Sequence, residues 1–576
     1  MASWDMTTTT TIRVLLTLSC LGPTRTAAAM PQQRSAPVIA PAPAPVTALA
    51  IVNARVWTGD PRRPWADAVL VRGERIAVVG SGAEVRKHAG AARVIDAKGM
   101  MVTPGFIDSH VHFIDGGYAL RSVQLRDART RDEFVARIKA YATTMPKGAW
   151  ILNGDWDHTN WGGELPSRTW IDSVTPDNPV WINRLDGHMN LANSLALRAA
   201  GITRATADVA GGTIVRDAAG EPTGILKDNA QNLMDRSIPE PGLALDLRAL
   251  DTAMSYVAER GVTSVHHMGG WGDLAVFREA KRQGALRTRI TANVPLATWE
   301  RLRDTVKAGG RGDAWLRIGG LKGFVDGSLG SHTAAMLEPF TDAPADRGFF
   351  VNTPEQLYAW TSGADAAGLQ VIVHAIGDRA IRTQLDIYER VAREHGARDR
   401  RFRIEHAQHI APPDIGRFAA LGVIASMQPY HAIDDGRWAD KVIGAERAKG
   451  TYAFKSLLEH HTTLAFGSDW FVAPPDPLLG IYAAVTRRTL DDRHPGGWVP
   501  QQKIGVEDAL RAYTTGGAKA GFAEQDVGML KAGMLADLVL IDHDLTRIAP
   551  ETIRDARVLL TVVGGRVVYD RDHRAR

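Results

Sequence analysis

The chain has 576 residues, of which 45% are apolar and 23% charged, and its formal net charge is +4. A chain of this length buries a large core and exceeds one ordinary domain. The small charge and the lack of a basic block interleaved with aromatics argue against nucleic acid as a partner, and no apolar run is long enough to span a bilayer.

At the amino end, a threonine run leads into the short apolar segment Ile12 to Leu21, and Ala27-Ala28-Ala29 follows. This pattern predicts a secretory signal peptide over 1–29, cut near Ala29, and hence an exported, periplasmic or secreted protein. Cys20 is the only cysteine; it reads as a member of the apolar segment rather than an acylation site. The mature chain then has neither disulfide nor thiolate, so any metal must be held by nitrogen and oxygen. Residues 30–47 are rich in Pro and Ala and read as a linker.

Short β-patterned runs fill 48–100, among them Ala50 to Trp57 and Arg75 to Gly80, separated by turn residues. The same texture returns over 526–576, in Ala536 to Asp542 and Val558 to Val568. Together these ends predict one small β-sandwich clasping a central domain over 101–525. That domain alternates strand and helix signals, which predicts a parallel sheet with crossover helices. Eight buried strands are expected: Met101–Phe113, Val262–His267, Thr288–Val294, Leu316–Val325, Leu369–Ala375, Arg403–Ala407, Val423–Gln428 and Thr463–Asp469. Helices are expected at Gln356–Ala367 and Ala380–Glu394. The fold class is therefore α/β, a (β/α)8 TIM-like barrel with an insertion of about 115–245 after its first strand. Trp150, Trp156, Trp161, Trp170 and Trp181 fall in that insertion and are expected in its core, with one or two lining a pocket.

The first expected strand ends in His110-Val111-His112. Side chains alternate faces with period two, so both imidazoles point to one side. Further polar residues stand at other strand ends, where barrel active sites lie: Lys322 in the fourth, His374 in the fifth, His406 in the sixth and Asp469 in the eighth. Each alone has a plain reading. A strand-end His is often a core residue, a buried Lys pairs with a carboxylate, and an Asp before a loop caps a helix. Six from five strands point to a metal centre.

On these residues the chain resembles the amidohydrolase superfamily, in the branch that includes N-substituted formamide deformylases. The resemblance rests on Pro104 to His112, Lys322 with Asp326 to Ser331, His374 to Asp378, Ile404 to Gln408, Ser426 to Pro429 and Gly467-Ser468-Asp469. Arg184 to His188 with Asn193-Ser194 completes it. It implies that Lys322 is N6-carboxylated, since an ammonium has no lone pair to give, and bridges two divalent metals. His110, His112, Lys322 and Asp469 then hold one; Lys322, His374 and His406 hold the other. Zinc is expected, with Mn, Fe or Co as alternatives, and a single ion if Lys322 is unmodified. The implied reaction is hydrolysis of a C–N bond in a non-peptide amide by metal-activated hydroxide, with Asp469 as general base. Arg184 and His188 either engage the substrate or order a loop, and Asp378 is expected to orient ligands. The implied partner is a small-molecule amide, with a homodimer as a candidate assembly. Two alternatives share the residues: a dinuclear esterase, lactonase or phosphotriesterase, and an inactive periplasmic binding protein. His332 stands where relatives carry Arg, which weakens transfer of any one relative's substrate.

Overall fold

The computed structural model describes residues 39–239 and 241–572. The signal peptide expected over 1–29 and the first part of the expected linker lie outside them. Eight parallel strands form the central sheet: Phe106–Val111, Val262–Met268, Arg289–Pro295, Leu316–Phe324, Gln370–Ala375, Arg403–His406, Ile424–Met427 and Leu464–Phe466. The eighth returns to the first just past its own end. A bridge joins Val111 to Trp470, and the Asp469 N–H donates to the His110 carbonyl at 2.7 Å. The barrel is thus nearly closed, and its helices pack outside. Helix Pro354–Ala366 starts on Thr353, whose hydroxyl takes the Gln356 N–H while Gln356 reaches back. Helix Asp378–His395 buries Ala380, Ile381, Leu385, Tyr388 and Val391 on one face.

One expected strand, Met101–Phe113, is two. Met101–Pro104 pairs antiparallel with Leu538–Ile541 of the carboxy-terminal segment, and only Phe106–Val111 belongs to the barrel. The break falls at Pro104-Gly105. Proline brings no N–H to a ladder, and a Cβ on Gly105 would lie 2.2 Å from the Thr263 hydroxyl. Period-two patterning runs unbroken through both pieces, so the pattern alone could not reveal the change of partner.

The chain ends build two sheets. Four strands come from Ala48–Val52, Ala68–Arg72, Arg75–Gly80 and Arg93–Asp96. Six come from Arg55–Trp57, Trp65–Ala66, Met101–Pro104, Leu538–Ile541, Val558–Val563 and Arg566–Asp570. Leu49, Ile51, Val69 and Ile76 share one buried core with Leu538, Leu540 and Val562, each such side chain contributing about 1.5–3 kcal/mol. A buried ion pair pins this unit to the barrel: Arg289 donates to both oxygens of Asp537, at 2.7 and 2.9 Å.

The insertion carries its own five-stranded sheet of Ile151–Leu152, Val180–Asn183, Met189–Ala192, Gly212–Arg216 and Pro222–Asp228. Trp156 and Trp170 pack with Phe134, and Trp161 leans on the same cluster. Trp150 and Trp181 belong to a second cluster. None of the five lines either of the two clefts described below, where the indoles in the walls are Trp438 and Trp360.

Candidate metal centre and its two clefts

The carboxyl end of the first barrel strand delivers His110 and His112. Both Nε2 atoms approach one oxygen of Asp469, at 3.3 and 3.4 Å. Asp469 follows the eighth strand with φ of 59°, and His406 ends the sixth with φ of 71°. These left-handed conformations cost about 1–2 kcal/mol each in an L-residue and turn both side chains across the barrel mouth. His110, His406 and Asp469 each place a ligand atom within 4.8 Å of the others. Lys322 Nζ lies 3.2 Å from His110 Nε2. The ring of His374 is 4.5 Å from that of His406. All six residues singled out at the strand ends therefore gather at one rim.

Second partners leave each of the three buried imidazoles one nitrogen to give. His110 Nδ1 meets Glu405 Oε2 at 2.5 Å, His406 Nδ1 meets Gln428 Oε1 at 2.9 Å, and His374 Nε2 meets the Gly327 carbonyl at 3.0 Å. Acceptors on those atoms fix the tautomer and free the other nitrogen's lone pair. Burial first, then neighbouring Lys322 and the other imidazoles, pull His110, His374 and His406 well below the ordinary histidine value. They are neutral, as ligation requires. Burial also lowers Lys322 to about 8. Asp469 Oδ1 is buried without a hydrogen-bond partner. An orphaned carboxylate oxygen beside imidazole lone pairs is costly unless a cation fills the gap. The donor set fits divalent metal.

Glu405 has a role that strand-end reading missed. Its Oε1 takes Arg403 at 2.8 Å, and Arg403 reaches on to His266 Nδ1 at 3.0 Å and the Ser109 carbonyl at 2.7 Å. All of these side chains are buried. The available signal was a charged pair, Arg403 and Glu405, alternating with apolar residues in a strand too buried for unpaired charge.

Arg184 and His188 come from the insertion and face the barrel. Arg184 is buried between Asp186 (2.6 Å) and Asp157 (3.3 Å). Asp186 also accepts from the hydroxyls of Ser328 and Ser331, at 2.5 and 3.1 Å. Burial pushes Asp186 up, but Arg184, His188 and these donors outweigh it and hold the carboxyl well below its ordinary value. His188 Nδ1 meets Asp228 at 2.6 Å. Burial alone would lower His188, yet the Asp228 contact leaves it raised. Its ring sits 5.0 Å from that of His374. Asp378 is elsewhere: it accepts from the Leu337 and Arg379 backbone N–H groups, so it ties a loop at the start of its helix. His332 pairs with Asp342 at 3.0 Å.

Two clefts flank the rim. One is open to solvent, spans about 570 Å³ and is walled by Asp157, Arg184, Asp186 and His188 of the insertion, with His406, His431, Asp435 and Asp469. The other, of about 910 Å³, opens on His112 and Lys322 and is lined by Met268, Leu296, Phe324 and Trp360. Charged and imidazole side chains dominate the residues around the first, and the second is mostly apolar.

The comparisons agree with this geometry. A family profile described as "Amidohydrolase family" matches residues 93–569. "Protein LONG AFTER FAR-RED 3" of Arabidopsis thaliana is 42% identical over 540 residues, 91% of this chain and 92% of that protein. "N-substituted formamide deformylase" of Arthrobacter pascens is 30% identical over 551 residues, 91% of this chain and 98% of that one. Among solved structures, an uncharacterized metal-dependent hydrolase from Pyrococcus horikoshii superposes with a TM-score of 0.71 at 28% identity, covering 87% of this chain and 99% of its own. With a profile spanning the whole barrel and the carboxy-terminal strands, and relatives matched over nearly their full length, the chain belongs to the amidohydrolase family.

Proposed function

We propose that this hydrolase cleaves a C–N bond of a non-peptide amide at a pair of divalent cations, zinc by preference. His110, His112, Lys322 and Asp469 would hold one cation, and Lys322, His374 and His406 the other. Cations bound there would supply Lewis acidity, lowering the pKa of water and polarising a carbonyl. Lys322 would ligate once its neutral amine adds CO2, losing one proton and gaining an anionic two-oxygen head. Burial that brings the amine to about 8 supports this, because the free base is then populated near neutrality. Asp469 accepts the proton of the attacking water and returns it to the departing nitrogen, which leaves as an amine. Arg184 and His188 orient the substrate from the polar cleft, and the apolar cleft accepts its hydrocarbon part.

The observation that carries this reading is the buried Asp469 oxygen, unpartnered and faced by two imidazole nitrogens. The 30% identity to a protein named for formamide deformylation supports an amide substrate over an ester or phosphotriester. The test joins metal analysis of the purified protein to a panel of N-acyl and N-formyl amines, lactones and phosphotriesters. About two ions per chain with amide turnover supports the proposal. Turnover confined to lactones or phosphotriesters shifts it to the second reading, and a metal-free protein that only binds amides shifts it to the third. Export belongs to the same proposal: a secreted form beginning near residue 30 is its check.

A further inference from the structure

The barrel face opposite the metal centre holds a cavity of about 750 Å³. It lies at the amino ends of the fourth and fifth barrel strands, with Gly319 and Gln370 in its wall beside Gly521 and Phe522. Arg317, at the start of the fourth strand, precedes Lys322 by five residues, or roughly 16 Å of strand. This site is therefore separate from the two clefts at the other rim.

Four guanidiniums line the cavity, from Arg311, Arg317, Arg398 and Arg400, against one carboxylate, Asp399. Asp399 is taken by Arg401, as is nearby Glu524. Arg398 and Arg400 share the single buried carboxylate of Asp365, at 2.5 and 2.9 Å, and His395 meets it too at 2.8 Å. Arg311 and Arg317 spend their bonds on neutral carbonyls. Arg311 donates to Gly319 and Gly368, at 3.2 and 2.8 Å. Arg317 donates to Gly521 at 2.8 Å and to Phe522. Each guanidinium has five N–H donors, so both keep donors to spare. Partial burial, then Arg317 and Arg398, push Arg311 below the ordinary arginine value; like charges crowd it.

The wall also leaves room. Gly368 has φ of 71°, and a Cβ built there meets nothing nearer than Arg398 Nη1 at 4.0 Å. Cations gathered round one concavity repel each other, and a bound anion removes that cost. Planar guanidinium forks match the oxygens of phosphate. We infer that this cavity binds a small phosphate-type oxyanion, free or as the phosphate group of a larger metabolite. The ligand braces the roots of the two strands that carry Lys322 and His374. The inference does not depend on the reaction at the other rim.

Isothermal titration of the metal-loaded protein tests it, with orthophosphate in one arm and glycerol 3-phosphate in the other. Saturable one-to-one binding is expected in at least one arm, and the stronger arm identifies a free anion or an ester as the preferred form. Arg311→Gln and Arg317→Gln should each weaken binding about tenfold or more, and Arg311→Lys should also weaken it by losing the fork. His406→Asn, which alters the metal centre, should leave it unchanged. No saturable binding below about 10 mM overturns the inference. So does binding that is lost in His406→Asn and indifferent to the arginines, since the anion then sits on the metals. If Arg317→Gln does not fold, Arg311→Gln decides alone, because that side chain stands at the surface.

Discussion

Glu405→Gln exchanges one oxygen for an NH2 group, and the surroundings dictate which way the amide faces. The Arg403 guanidinium is ion-paired with Oε1 at 2.8 Å, so the amide oxygen, which carries the negative end of the dipole, stays on that side. The NH2 group is then left facing His110 Nδ1, where the carboxylate stood at 2.5 Å. Nδ1 must become an acceptor, so the ring proton moves to Nε2, the atom 3.3 Å from Asp469. A protonated Nε2 cannot ligate. Loss of such a supporting partner typically costs 10–100-fold in metal affinity, and that range is expected for zinc measured by competition with a chromophoric chelator. The fold should survive, because Arg403 keeps an acceptor. Glu405→Ala removes that acceptor as well and should cost about 3–5 kcal/mol in urea unfolding, as for a broken buried ion pair. Zinc affinity within twofold of the parent in Glu405→Gln would refute this account of how His110 is held.

Asp469→Asn should lower kcat by about 10²–10⁴-fold while circular dichroism stays native; near-normal turnover excludes it as the base. In metal-stripped, CO2-free protein, unfolded Lys322 keeps its proton to about 10.5 but folded Lys322 loses it near 8. Between those values the unfolded chain binds more protons, so stability climbs with pH, by roughly 3 kcal/mol across the window. Lys322→Met should abolish that climb, and an equal slope in both proteins rejects the assigned burial cost. Arg184→Gln strips the countercharge from buried Asp186 and leaves Asp157 only its longer contact with Arg437, so a loss of about 3–5 kcal/mol is expected in urea unfolding, with kcat/KM falling in parallel; a stability change below about 0.5 kcal/mol contradicts the pairing.

The eight barrel strands were legible because parallel strands buried on both faces read as short apolar runs, and a polar residue closing such a run stands out. Val371-Ile372-Val373 before His374 is an example. His110 and His112 were legible through period two alone. What the pattern hid were residues whose role depends on a partner far along the chain. Glu405 is one residue from His406 but acts on His110. Asp157 and Asp228 act on Arg184 and His188 from 27 and 40 residues away, through contacts that no local spacing encodes. Asp378 misled for the opposite reason: it sits in a conspicuous motif yet only ties the Leu337 loop to the start of its own helix. The Arg311 and Arg317 cavity was invisible because its members come from loops and strand starts, where charge is ordinary.

The run from Met101 to His112 starts in one sheet and finishes in another, and this has a consequence for biosynthesis. Its neighbours on the outer edges, Leu538–Ile541 and Trp470, emerge from the ribosome long after it. At about 5–20 residues per second, the wait for Leu538 lasts roughly 20–90 s. Until then Met101–Pro104 keeps a bare edge, the kind that recruits foreign strands. The first barrel strand therefore gains its closing neighbour, and His110 and His112 gain Asp469 beside them, only once the chain has been made past Trp470.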